Sequence, residues 1–154
     1  VLEDYKDVIT PIAPLWERIG EGWNTILPTP DDIVLQNATI EHTEMVFNLG
    51  SSMVFDYVAH DKVCAFINYD VTHKKISDWS VKKIYNYVHF RSMPNHKSVL
   101  WIDSPQAIDG IIENAIATNS LVVENARKWF EIINQHPPQE ASKRIWEAIK
   151  QIVR

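Results

Sequence analysis

Residues 41–70, "EHTEMVFNLGSSMVFDYVAHDKVCAFINYD", decide the fold of this chain. They contain two short apolar runs, at 45–49 and 63–67, and each has the length and composition of a buried strand. Between them, residues 52–59 have the apolar spacing of a short helix. A strand, a helix and a second strand in that order predict a βαβ unit, whose strands are parallel and whose crossover is right-handed.

The rest of the chain extends this pattern on both sides. Thr29-Pro30 has the residues of a helix start, and the helix is predicted to run to about His42. Residues 8–9 are predicted to form a short strand and 15–28 to be irregular, with Trp16 packed. Residues 80–87 are predicted to form a short helix, 99–102 a third strand, and the last third helices that are interrupted at 137–138. The predicted fold class is α/β, a Rossmann-like parallel sheet flanked by helices with a helical C-terminal tail.

Length and charge narrow the function classes. The 154 residues fit a single domain, 1–154, and the net charge of −5 argues against a nucleic-acid partner. The single cysteine, Cys64, predicts a reducing compartment, and no histidine has the spacing of a metal site. Residues 71–97 carry six basic side chains against one acid, which indicates either a local anionic ligand or a solvated charged loop.

The turn after the first strand is a candidate phosphate site. Gly50 lets the backbone turn and lets a ligand approach, and Ser51 and Ser52 add hydroxyl donors at a helix N-terminus. Asp56 lies one helical turn after Ser52, where its carboxylate could accept hydrogen bonds from ribose hydroxyls. The same residues are also typical of an ordinary strand-to-helix turn, so the turn alone leaves both interpretations open.

Four further side chains are candidates because ligands of parallel sheets bind beyond the carboxyl ends of the strands. Asn68 and Asp70 follow the second strand, and Asp70 has the alternative role of capping the next turn. His89 and Arg91 lie in the basic segment, where Arg91 could pair with a phosphate and His89 could donate a proton. Neighbouring aromatic side chains could equally pack this loop down.

The whole segment 41–70 resembles the donor-binding half of GT-B glycosyltransferases, most of all the branch of bacterial surface-polysaccharide transferases and CDP-glycerol glycerophosphotransferases. The shared parts are a strand that leads into Ser51-Ser52, a short helix with Asp56, the turn Asp61-Lys62 and a second strand. Val63 stands where this family commonly has proline. Residues 139–153 are similar to the "SxRI" helix that often ends these proteins.

The resemblance implies a two-domain enzyme of which this chain is the C-terminal half. A UDP- or CDP-linked donor would be a substrate, with no cofactor and no metal. Gly50, Ser51 and Ser52 would meet the donor's phosphates and Asp56 its ribose or sugar. The acceptor groups and the catalytic base would belong to an N-terminal domain, so the fragment alone would be inactive, and no catalytic residue is assigned here.

The resemblance further implies cytoplasmic bacterial envelope glycan assembly. Because envelope acceptors are lipid-linked, we expect peripheral association of the full-length protein with the inner face of the membrane. Two alternatives remain open: a domain like that of UDP-sugar 2-epimerases, and a non-catalytic α/β interaction module.

Overall fold

The computed structural model describes residues 3–73, 75–76, 78–117, 120–135 and 137–153. The chain divides into two compact units, one within residues 1–42 and one within residues 43–154. Each unit is described separately.

The first unit contains a two-stranded antiparallel sheet and one helix. Strands β1, Trp16–Arg18, and β2, Ile26–Pro28, pair in register, and helix α1 spans Pro30–Glu41. Two 3₁₀ helices, Glu3–Tyr5 and Trp23–Thr25, lie in the same unit. The prediction of a strand at 8–9 is wrong, because residues 6–8 form a turn, and the prediction of irregular structure over 15–28 misses both strands.

Side chains at the start of α1 explain this pairing. Thr29 is the N-cap as predicted, since its hydroxyl accepts a hydrogen bond from Asp32 N at 3.1 Å. The same hydroxyl donates to Leu15 O at 2.7 Å. The Asp32 carboxylate accepts from Leu15 N at 2.7 Å and from Trp16 Nε1 at 3.0 Å. Trp16 is thereby fixed at its polar end, although it is 55% exposed and not packed as predicted.

The second unit is built on the predicted parallel sheet. Strands β3, Met45–Asn48, β4, Val63–Ile67, and β5, Leu100–Ile102, are hydrogen-bonded in the order β3-β4-β5. The central strand β4 is buried along residues 63–66 because it is covered on both faces. This architecture confirms the α/β class and the βαβ unit.

Helices connect and cover these strands. Helix α2, Met53–Ala59, links β3 to β4, and the short helices α3, Val81–Tyr85, and α4, Val88–Arg91, lie between β4 and β5. The C-terminal segment is helical, with α5 at Ile108–Ala117, α6 at Ser120–Asn134 and α7 at Ala141–Ile152. Further 3₁₀ helices span His96–Ser98, Pro105–Ala107 and Pro138–Glu140. In the described part of the chain, no helix combines the length and apolar character that crossing a membrane would require.

The core of this unit includes Val63 on one face of β4 and Cys64 and Phe66 on the other. The register pairs Val46 with Cys64 and Asn48 with Phe66, so these side chains share a face. Phe66 and Trp129 are both fully buried, and the Trp129 indole donates to Ser92 Oγ at 2.9 Å. The Phe55 and Trp129 rings meet edge to face at 4.9 Å, which joins α2 to α6.

Candidate functional site

The backbone turn between β3 and α2 requires glycine for two reasons. Gly50 has a φ of +61°, a left-handed conformation that is unfavourable for residues with a side chain. A Cβ atom at this position would lie 2.6 Å from Ile84 Cγ2 and 3.2 Å from Phe90 Cζ. Gly50 therefore permits the close approach of Ile84 from α3 and Phe90 from α4, and the predicted approach of a ligand stays a prediction.

Several donors of the same turn already have partners within the chain. Ser51 N donates to Asn48 Oδ1 at 3.1 Å, and Met53 N donates to Ser51 Oγ at 3.2 Å. Val54 N donates to Ser51 O at 3.4 Å. Ser52 is different, because it is exposed at the N-cap of α2 and its side chain makes no capping hydrogen bond. Ser52 is thus the most accessible hydroxyl of the predicted phosphate cradle.

Asp56 lies in α2, four residues after Ser52, on an exposed part of the helix. Partial burial of its carboxyl by neighbouring protein atoms raises the pKa of Asp56, and the nearby His60 opposes this by lowering it. A carboxylate at this position can accept hydrogen bonds from a ligand's hydroxyls. Its predicted contact with a ribose or a sugar stays a prediction.

The carboxyl ends of β4 and β5 are joined by a side-chain hydrogen bond. Asn68 Nδ2 donates to Asp103 Oδ1 at 2.7 Å, and Asn68 N donates to Ile102 O at 2.8 Å. Because β3 and β4 are parallel neighbours, the Gly50–Ser52 turn and Asn68 leave the same edge of the sheet. Asp103 was not named from the sequence, although the residues that follow Ile102 are predicted to lie at this same edge of the sheet.

Asp70 has a structural partner of its own. Its Oδ1 atom accepts a hydrogen bond from Val81 N at 2.8 Å, at the start of α3. This is the capping role that the sequence left open as the alternative. It fixes α3, and α3 in turn supplies Ile84 to the Gly50 turn.

His89 and Arg91 lie on α4 and are both exposed. The His89 ring lies 4.1 Å from the Phe90 ring. Arg91 lies at a pocket whose lining does not include the Gly50–Ser52 turn. The structure therefore brings Gly50, Ser51, Ser52 and Asn68 to one sheet edge, and the lining of the pocket beside Arg91 includes none of these four residues.

Two ionisable groups of the core are unsuited to acid–base or nucleophilic chemistry at neutral pH. Burial raises the pKa of Cys64 to about 12, although its hydrogen bond from Asn48 lowers it. Burial, with a smaller contribution from the charge of Cys64, raises the pKa of Tyr85 to about 12, and its hydroxyl donates to Ile67 O. Among the described residues, no three His, Cys, Asp or Glu side chains are grouped as a metal site would need.

Comparison of the chain with models of protein families, with curated proteins and with solved structures gave no match. The function is therefore argued from the residues and their geometry.

Proposed function

We propose that this chain is the nucleotide-sugar or CDP-alditol donor-binding domain of a glycosyltransferase in bacterial envelope glycan assembly. One observation carries the proposal. At the carboxyl edge of the parallel sheet, the backbone turns at Gly50, which has a left-handed conformation, and then enters α2. The hydroxyl of Ser52, at the N-cap of α2, is exposed and makes no capping hydrogen bond. Ligands of open parallel sheets bind at this edge, and phosphate is a natural partner of hydroxyl and amide donors there.

In this proposal the donor's diphosphate contacts the Gly50–Ser52 turn. The Ser52 hydroxyl donates a hydrogen bond directly to the diphosphate. The Ser51 hydroxyl can also donate to it, because its bond with Met53 N uses only the oxygen as an acceptor. Asp56, one helical turn further on, accepts from the ribose or the sugar. The acceptor and the catalytic base come from another domain, so the 154-residue chain binds a donor without turning it over.

A second candidate function is a non-catalytic α/β interaction module. The observation that favours it is the internal bonding of the turn, where Ser51 N, Met53 N and Val54 N all donate within the chain. A turn of this kind is stable without a ligand. The two candidates differ in whether the edge of the sheet binds a nucleotide.

Isothermal titration of the 154-residue chain with UDP and with CDP tests the proposal. We expect saturable binding of at least one nucleotide, and we expect Ser52→Ala to weaken it about tenfold, because a hydrogen bond to a charged group is lost. Ser142→Ala is the matched control, since Ser142 is an exposed helical serine on α7, and it leaves the affinity unchanged. Absence of binding by both nucleotides would refute the donor-site proposal and favour the interaction module.

A further inference from the structure

The pocket beside Arg91 lies next to β5, on the sheet face that carries Phe66. It has a volume of about 290 Å³. Its lining residues are Tyr85, Phe90, Arg91, Met93, His96 and Trp101, and we call it the Trp101 pocket. The volume is close to the lower end of the range for small-molecule sites, so the pocket suits a ligand of one ring and one substituent.

Aromatic rings form most of this surface at steep mutual angles. The Tyr85 and Trp101 rings are 5.0 Å apart at 82°, and the Tyr85 and Phe90 rings are 6.1 Å apart at 80°. His96 stacks on Trp101 and Phe66 stacks on Tyr85, so a ligand ring would meet the remaining aromatic surface of the pocket through offset or edge-to-face contacts.

The polar ends of two of these rings are already bonded to the backbone. Trp101 Nε1 donates to His96 O at 2.8 Å, and the Tyr85 hydroxyl donates to Ile67 O. Each of these groups has used its N–H or O–H donor within the protein. The walls therefore offer a ligand apolar ring surface, and they offer little hydrogen bonding.

The hydrogen-bond donors that the pocket offers to a ligand come from two exposed basic side chains, Arg91 and His96. The His96 ring stacks on Trp101 at 4.6 Å and 8°, which orients the imidazole. No acidic side chain lines the pocket, and within the described residues no carboxylate lies within ion-pair distance of Arg91. By contrast Lys83, in the same basic segment, is paired with Asp78 at 2.8 Å. Arg91 is thus an exposed cation beside an aromatic pocket, with no counter-ion among the described residues.

We propose that the Trp101 pocket binds a small planar aromatic acid. The ring lies against Trp101, Tyr85 and Phe90, and the carboxylate or phosphate accepts hydrogen bonds from the Arg91 guanidinium. A guanidinium fork suits either group, because both present two acceptor oxygens. A cationic ligand is disfavoured by Arg91, and a neutral ring would leave Arg91 without a partner. The proposal is independent of the nucleotide site at the Gly50–Ser52 turn.

The test is an NMR titration of the ¹⁵N-labelled 154-residue chain with phenyl phosphate and, separately, with benzoate. The Trp101 indole N–H signal, assigned with Trp101→Phe, and the Arg91 Nε–H signal report on the pocket. We expect at least one of the two acids to shift both signals and to saturate. Inorganic phosphate has the anionic group without the ring, and phenol has the ring without the anionic group. Each should bind at least tenfold more weakly than phenyl phosphate.

Arg91→Gln should weaken binding of the aromatic acid at least tenfold. Lys82→Gln removes an exposed cation of the same segment that does not line the pocket, and it should leave binding unchanged. Saturation by neither acid would overturn the proposal. Equal binding to Arg91→Gln, or equal binding of inorganic phosphate, would do the same, because either result would mean that ring and guanidinium do not act together. Ser52→Ala should not affect this titration, so failure here and failure of the donor proposal are separable.

Discussion

Replacement of Gly50 by alanine should destabilise the second unit by about 2–5 kcal/mol, from two separable causes. The left-handed conformation at φ +61° costs a residue with a Cβ atom about 1–2 kcal/mol. The new Cβ atom would also lie 2.6 Å from Ile84 Cγ2, closer than non-bonded atoms tolerate, so the half-buried Ile84 must move. Overpacking of this kind costs a further ~1–3 kcal/mol.

Urea unfolding followed by tryptophan fluorescence measures this loss, because Trp129 is fully buried in the core of the same unit. Gly110→Ala is the matched control. A Cβ atom at Gly110 would meet nothing within 4 Å and the position is helical, so this change should stabilise the chain by about 0.5–1 kcal/mol.

A double-mutant cycle separates the two causes. Ile84→Ala removes the Cγ2 atom, so Gly50→Ala should cost at least ~1 kcal/mol less in that background, and the backbone strain and the milder contact with Phe90 should remain. A loss below about 0.5 kcal/mol for Gly50→Ala would refute the reasoning. Strict additivity in the cycle would refute the contact between the turn and α3.

Four other predictions concern the ionisable groups and the backbone. Because burial raises the pKa of Asp56, the folded state binds the carboxyl proton more tightly than the unfolded chain does. Urea unfolding should therefore show that Asp56→Asn is more stable than the native chain at pH 7. This difference in stability should shrink as the pH falls toward about 4, where the carboxyl becomes protonated. His60 lowers that pKa, so His60→Gln should move the NMR-detected carboxyl titration of Asp56 to higher pH. The Cys64 thiol, with a pKa of about 12, should stay unmodified by DTNB at pH 8 and react only once urea unfolds the chain; rapid native-state labelling would contradict its burial. Gln135 has a φ of +53° directly after α6, so Gln135→Gly should raise the free energy of unfolding by about 1 kcal/mol, and a decrease would show that the side chain compensates for the strain.

The elements that the sequence predicted are those whose signal is local. Residues 41–70 contain the two apolar runs that form β3 and β4 and the helical pattern between them. Turn residues separate these three elements. The N-cap Thr29 acts on Asp32, three residues away. Each of these features depends on neighbours within about one turn of the chain, and such features are visible in a single sequence.

The features that were missed depend on distant partners. The β1–β2 pair is only three residues long on each side. It is fixed by two hydrogen bonds of Leu15, whose N donates to Asp32 and whose O accepts from Thr29, 17 and 14 positions away. In the candidate site, the types and positions of Ser51, Ser52 and Asn68 were predictable. The bond of Asn68 to Asp103 spans 35 residues, and the contact of Gly50 with Ile84 joins separate elements, so neither was predictable.

The parallel sheet has a consequence for association between copies of this chain. Among the described residues this sheet has three strands, so β3 and β5 are its edges, and an unpaired strand edge is a template for pairing with another chain. These edges are four and three residues long. A strand of another chain could therefore form very few backbone hydrogen bonds with either edge. The shortness of β3 and β5 thus disfavours aggregation by edge-to-edge strand pairing.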